Sequence, residues 1–90
     1  MTLELSLVDR KDVITKDGRK IGSLIGANLD TTSWVVHSII VEVNKEIIKD
    51  LKVKKSVLKL PKINVKTNLV SGVGDVVQLT VDLKSLSEYV

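Results

Sequence analysis

The chain has 90 residues, of which 43% are hydrophobic and 28% are charged, with a single proline. This length is enough for one modest hydrophobic core and too short for two ordinary domains, so we expect residues 1–90 to form a single domain. The absence of cysteine excludes a disulfide framework and any thiolate-based zinc or iron–sulfur site.

The N-terminal residues lack the features of a signal peptide. From Thr2 to Val8, apolar and polar residues alternate, without a basic start or a continuous apolar run. No segment approaches the roughly 20 apolar residues of a membrane-spanning helix. We therefore expect a cytoplasmic protein without membrane insertion.

Positive charge is concentrated in one segment, although the net charge is only +3. Residues 45–66 contain eight lysines against Glu46 and Asp50, whereas both flanking segments are slightly acidic. A cluster of this kind can attract an anionic partner, or it can be a solvated face. The lysines are Lys45, Lys49, Lys52, Lys54, Lys55, Lys59, Lys62 and Lys66.

The first third of the chain predicts strands joined by a hairpin. The alternation from Thr2 to Val8 favours a strand or an extended arm, and Asp12 to Thr15 favours a second strand. Lys16 to Arg19 contains Asp-Gly, which predicts a tight type I′ turn. The strand that follows, Lys20 to Asp30, contains two glycines that indicate a bulge or a close backbone approach.

Residues 34–43 are dense in β-branched residues and predict a long strand. Strict alternation places Trp34, Val36, Ser38, Ile40 and Glu42 on one face, and Val35, His37, Ile39, Val41 and Val43 on the other. Both faces are largely apolar, so one must be covered by another segment of the chain or by a second copy. If a second copy covers it, the self-association residues are Trp34, Val36 and Ile40.

The remaining sequence predicts short elements. Asn44 is a candidate N-cap for a helix from Lys45 to Leu51, and a strand is predicted from Val53 to Leu60. Ile63 to Val65 is predicted to be extended. A turn at residues 72–75 precedes the predicted final strand, Val76 to Val81, and Asp82 is a candidate N-cap for a terminal helical turn through Leu83, Leu86 and Tyr89.

The order of these signals resembles the PRC-barrel family. The most specific matches are Asp17-Gly18-Arg19-Lys20-Ile21-Gly22 and Val73-Gly74-Asp75-Val76-Val77, within a resemblance that covers about residues 10–82. The resemblance implies an all-β fold: a small antiparallel PRC-type β-barrel of about six strands, with one short helix and a C-terminal helical turn.

The resemblance also implies a class of function. PRC barrels act mainly by binding other proteins and have no shared catalytic residues. The chain resembles the stand-alone archaeal members, which include the CdpB-type cell-division proteins, and more distantly the C-terminal domain of the ribosome maturation factor RimM. This implies protein partners and a homodimer or a heterodimer with a paralogue.

Residues suited to catalysis or metal binding are few. His37 is the only histidine, and its position within an apolar strand is more typical of a structural or interfacial imidazole than of a metal ligand. The aspartates lie mainly in turns, which explains them without acid–base chemistry. We therefore predict no enzyme activity, no catalytic residues and no cofactor.

Two functions from different classes remain. The first is a non-enzymatic adaptor that self-associates and binds proteins, with archaeal cell division as the process that the resemblance implies. The second is a ribosome-maturation or RNA-associated factor that uses the eight lysines. Because the chain contains one Trp, one Tyr and no Phe on which bases could stack, nucleic-acid binding is the less favoured of the two.

Overall fold

The computed structural model describes residues 2–47 and 62–86. Six strands form one sheet in this part of the chain: β1 Thr2–Ile14, β2 Lys20–Asp30, β3 Val35–Val43, β4 Lys62–Lys66, β5 Val70–Val73 and β6 Val76–Leu79. Two 3-10 turns, Lys45–Ile47 and Thr67–Leu69, follow β3 and β4 respectively. A four-residue helix, α1 (Leu83–Leu86), follows β6. The predicted small all-β fold of about six strands is confirmed.

The sheet has the spatial order β4-β3-β2-β1-β6-β5. All neighbouring pairs are antiparallel except β1 and β6, which run parallel over Asp12–Ile14 and Val76–Gln78. The expectation of a wholly antiparallel barrel is therefore corrected in two details. The sheet is mixed, and in the described residues it is open, with β4 and β5 at its edges.

The core lies on one face of this sheet, where alternate residues of the strands meet α1 and the two 3-10 turns. In β4, Ile63 and Val65 are buried while Lys62, Asn64 and Lys66 are exposed, the period of two expected of a half-buried strand. The core residues are Val13, Ile21, Leu24, Ile39, Val41, Val43, Ile47, Ile63, Val65, Leu69, Val77, Leu79, Leu83 and Leu86.

The turn between β1 and β2 differs from the predicted type I′ turn. Gly18 has a positive φ of 84°, but Asp17 does not. The Thr15 carbonyl accepts a hydrogen bond from Gly18 N (3.0 Å), and Thr15 N donates to the Arg19 carbonyl (2.9 Å), which gives a three-residue loop. The buried Thr15 hydroxyl bonds to the Asp17 carboxylate and accepts from Arg19 N, so it favours this longer loop.

Both glycines of β2 mark close backbone approaches, as predicted. A Cβ on Gly22 would collide with the Glu42 carbonyl oxygen and would lie 2.9 Å from the Glu42 carbonyl carbon. A Cβ on Gly26 would collide with the Leu5 carbonyl oxygen. The register of β2 against β3 shifts between Leu24 and Gly26, so a bulge lies directly before the second glycine.

The elements predicted after β3 agree only in part with the structure. Residues 45–47 form a 3-10 turn, whereas the rest of the predicted helix and the whole predicted strand from Val53 to Leu60 lie outside the described residues. β6 ends at Leu79, two residues earlier than predicted. The Asp82 carboxylate accepts a hydrogen bond from Ser85 N (2.7 Å), which confirms the predicted N-cap. This bond lowers the pKa of Asp82 below its ordinary value.

Candidate interaction surface

The turn between β2 and β3 is held by Asp30. Its carboxylate accepts hydrogen bonds from Thr32 N (2.9 Å) and Ser33 N (3.4 Å), and its carbonyl accepts one from Trp34 N (2.7 Å). The two bonds to the carboxylate lower the pKa of Asp30, since backbone N–H groups favour the charged form. The turn is thus closed by backbone groups and one aspartate.

Trp34 occupies the last position of this turn and not the first position of the strand, as its place in the alternating pattern had suggested. It has a φ of 59°, the only positive φ of a non-glycine residue in the described part of the chain. Its side chain is 71% exposed. A large aromatic residue is therefore held in a strained backbone conformation without burial inside the chain.

A bulge in β3 changes which face Val36 occupies. β3 pairs Ser38 with Asn28, but its next partner pair is Val36 with Leu29, so His37 is an additional residue in the ladder. Without the bulge, Val36 would share a face with Ser38. With it, Val36 joins a cross-strand row with Leu29 and Leu3, because directly paired residues project to the same side of a sheet.

The row of Leu3, Leu29 and Val36 lies on the core side of the sheet and extends its apolar face to side chains that the rest of the chain leaves partly exposed. In the adjacent row, Leu5 on β1 is exposed, whereas Ala27, Ile39 and Val65 on β2 to β4 are buried. On β1, Leu3 is 48% exposed and Leu5 is 37% exposed, and on β3 Val36 is 37% exposed. We call Leu3, Leu5 and Val36, together with Trp34, which precedes Val36 by two residues in the chain, the hairpin patch.

Ile40, the third predicted self-association residue, is only 6% exposed. It lies on the sheet face opposite the core, paired with Gly26 and Asn64. Its Cδ1 atom is 3.4 Å from the position that a Cβ on Gly26 would occupy, so the Ile40 side chain lies against the backbone of β2 at Gly26. The prediction that Ile40 lies on the self-association surface is therefore wrong: this chain covers it.

The same opposite face carries a polar network near the start of β3. Asn28 Nδ2 donates hydrogen bonds to Ser38 Oγ (2.9 Å) and to Asn64 Oδ1 (3.1 Å). A groove of about 330 Å³ runs over this network. We call it the amide groove; its lining residues are Thr2, Asn28, His37, Ser38, Asn64 and Lys66.

Three of the eight clustered lysines lie in the described residues. Lys45 is exposed in the 3-10 turn after β3, and Lys62 and Lys66 are exposed on β4. Lys66 borders the amide groove, whereas Lys62 lies four residues earlier on the same face. The other five, Lys49, Lys52, Lys54, Lys55 and Lys59, lie outside the described residues.

The described residues offer little for catalysis. His37 is exposed at the bulge and not enclosed in the core, and no group of three or more metal-ligating side chains occurs in residues 2–47 and 62–86. Asp12 forms an ion pair with Lys20 (3.1 Å), and Asp17 and Asp30 bond within turns. No helix in the part of the chain that the structure describes is long and apolar enough to cross a membrane.

Comparison with protein-family models and with curated proteins found no match to this sequence. Two surfaces of the described residues, the hairpin patch and the amide groove, are the candidates for function. Of the predicted self-association residues, Trp34 and Val36 are exposed in this chain, whereas Ile40 is buried. Sequence reasoning missed Leu3 and Leu5, whose only signal was the alternation of leucines in β1.

Proposed function

We propose that the chain is a non-enzymatic protein–protein interaction module that self-associates through the hairpin patch. The observation that carries the proposal is Trp34, which is 71% exposed and held at a φ of 59°. Such backbone strain costs on the order of 1 kcal/mol and is found most often at functional sites. Tryptophan is also enriched among the residues that contribute most to binding at protein interfaces.

The shape of the patch supports a second copy as its occupant. The row of Leu3, Leu29 and Val36 extends the apolar face of the chain's own core, so an identical row from another copy offers matching chemistry. A two-fold interface places the same patch on both partners, which an apolar row can satisfy without charge pairing. The proposed dimer therefore buries surface that is an uncovered continuation of the core.

The finer proposal is that the module is a PRC-barrel adaptor, either a homodimer or a heterodimer with a paralogue. It rests on the Asp-Gly-x-x-Ile-Gly hairpin and the late Val-Gly-Asp signal, together with the small all-β fold. Among stand-alone PRC barrels, a role in archaeal cell division follows from the resemblance alone. A protein partner of this kind would be bound by the dimer and not modified by it.

The test is light scattering coupled to size exclusion on the wild type, Val36→Glu and Val73→Glu. Val73 is 64% exposed on the β5–β6 hairpin, so its substitution places the same charge at an exposed valine outside the patch. We expect the wild type and Val73→Glu to elute at twice 9.9 kDa and Val36→Glu to elute as a folded monomer. A monomeric wild type, or a dimer unaffected by Val36→Glu, would contradict the proposal.

A second candidate, an RNA-associated factor, is supported by the exposure of Lys45, Lys62 and Lys66. Phosphate contacts by lysine make binding strongly dependent on salt. If the lysine segment binds nucleic acid, the purified protein should carry material absorbing at about 260 nm that is removed by high salt. A clean protein spectrum at low salt favours the adaptor.

A further inference from the structure

The amide groove and the hairpin patch lie on opposite faces of the sheet. Paired residues Glu4, Asn28, Ser38 and Lys66 form one row across the four strands from β1 to β4, on the face away from the core. Leu3, Leu29 and Val36 form a neighbouring row on the core side. A dimer formed through the patch therefore leaves the groove accessible to another molecule.

The hydrogen bonds of the groove leave donors unused. Asn28 donates to Asn64 Oδ1 and to Ser38 Oγ, so these two acceptors are occupied. Asn64 Nδ2, the Ser38 hydroxyl and the Thr2 hydroxyl belong to residues that line the groove and donate no hydrogen bond within the described part of the chain. Lys66 adds a full positive charge and forms no ion pair with any residue in the described part of the chain. The site thus suits an oxyanion.

One acidic group, the Asp30 carboxylate, lies near Lys66 but outside the amide groove. None of the residues that line the amide groove is acidic. Glu4 is at the far end of the row, three strands from Lys66 and hence about 14 Å away at the usual strand spacing. A neighbouring groove of about 350 Å³ shares His37 and Lys66 but includes the Asp30 carboxylate, so it is less suited to an anion.

We propose that the amide groove binds a carboxylate of an acidic segment on a protein partner. One lysine with neutral amide and hydroxyl donors matches a single negative charge. A phosphate carries more charge and is usually held by several cations or by a nest of backbone N–H groups. This proposal deepens the adaptor function by naming the chemistry of its partner, and it rests on that function.

The groove is tested by NMR titration of the isotope-labelled wild type with a hexaglutamate peptide. We expect shifts of the Asn64 side-chain amide and of the Ser38 and Lys66 backbone amides. Lys66→Ala should weaken binding about tenfold, as for loss of a hydrogen bond to a charged group. Lys62→Ala removes the same charge from the same face of β4 but outside the groove, and should change the affinity less than about twofold.

Three results would overturn the proposal. One is equal weakening by Lys66→Ala and Lys62→Ala, which would indicate unspecific attraction to positive charge. Another is the absence of chemical-shift changes at the groove residues at about 5 mM peptide, a concentration at which even a weak site is measurably occupied. The third is tighter binding of inorganic phosphate or of an RNA oligonucleotide at the same residues. Light scattering on the same samples reports dimerisation separately, so failure of the groove is distinguishable from failure of the adaptor function.

Discussion

Replacing Trp34 by asparagine should change stability and self-association in opposite directions. Asparagine tolerates the left-handed backbone region better than other non-glycine residues, because its short polar side chain bonds locally. Since Trp34 has a φ of 59° and is 71% exposed, the substitution relieves strain and removes little burial. We expect the monomer to become more stable by about 1 kcal/mol.

Self-association should weaken by a larger amount. Loss of a central aromatic residue from an interface commonly costs at least about 2 kcal/mol, which corresponds to a roughly 30-fold increase in the dimer dissociation constant. Urea unfolding at concentrations where the monomer predominates measures the first effect, because dimerisation would otherwise contribute to stability. Sedimentation over a range of concentrations measures the second.

Trp34→Ala provides the matched comparison. It removes the same indole but leaves a residue that is strained at this φ, so it should weaken the dimer without stabilising the monomer. Destabilisation of the monomer by more than about 1 kcal/mol in Trp34→Asn would contradict the expected relief of strain, since it would mean that the indole packs within the chain. An unchanged dissociation constant would refute its role at the interface.

Further predictions concern the elements that shape the sheet. Gly22→Ala should destabilise the protein by about 3 kcal/mol, because a Cβ there meets the backbone of β3, while Gly72→Ala has open space and should be neutral or slightly stabilising in urea unfolding. Thr15→Ala should cost about 1 to 2 kcal/mol through the lost bonds of the buried hydroxyl, and Thr15→Ser should recover most of it in the same assay. Asp82 has a lowered pKa in the folded chain, so its stabilising contribution is present above its ordinary value of 3.8 and is lost as the pH falls through and below that value. Thermal unfolding of the wild type should therefore show a loss of stability on acidification that is smaller in Asp82→Asn, and parallel pH profiles would contradict this.

Strands that are flanked by turn-forming residues could be predicted well from the sequence. β2 has the predicted bounds, Lys20–Asp30, because Asp-Gly before it and a polar turn after it limit the strand at both ends. Gly22 and Gly26 indicated close approaches from residue type alone. The helical N-cap at Asp82 was also predictable, because a short acidic side chain before an apolar segment is a local signal.

The arrangement of the candidate surface could not be predicted, because it depends on pairing between strands. A single additional residue at His37 moves Val36 to the opposite face, and alternation within β3 contains no sign of this bulge. The burial of Ile40 likewise depends on its neighbours in the sheet, Gly26 on β2 and Asn64 on β4, which the sequence of β3 does not reveal. The parallel pairing of β1 with β6 similarly arises from tertiary packing and leaves no pattern in either strand.

Self-association through the hairpin patch is tested most directly by an isotope-filtered NOE experiment on an equimolar mixture of labelled and unlabelled chains. Only contacts between two copies appear in such a spectrum. We predict intermolecular contacts among the methyl groups of Leu3, Leu5 and Val36 and the Trp34 ring. Intermolecular contacts confined to Val73 and Val76 on the β5–β6 hairpin, or no intermolecular contacts at concentrations of about 1 mM, would contradict self-association through the hairpin patch.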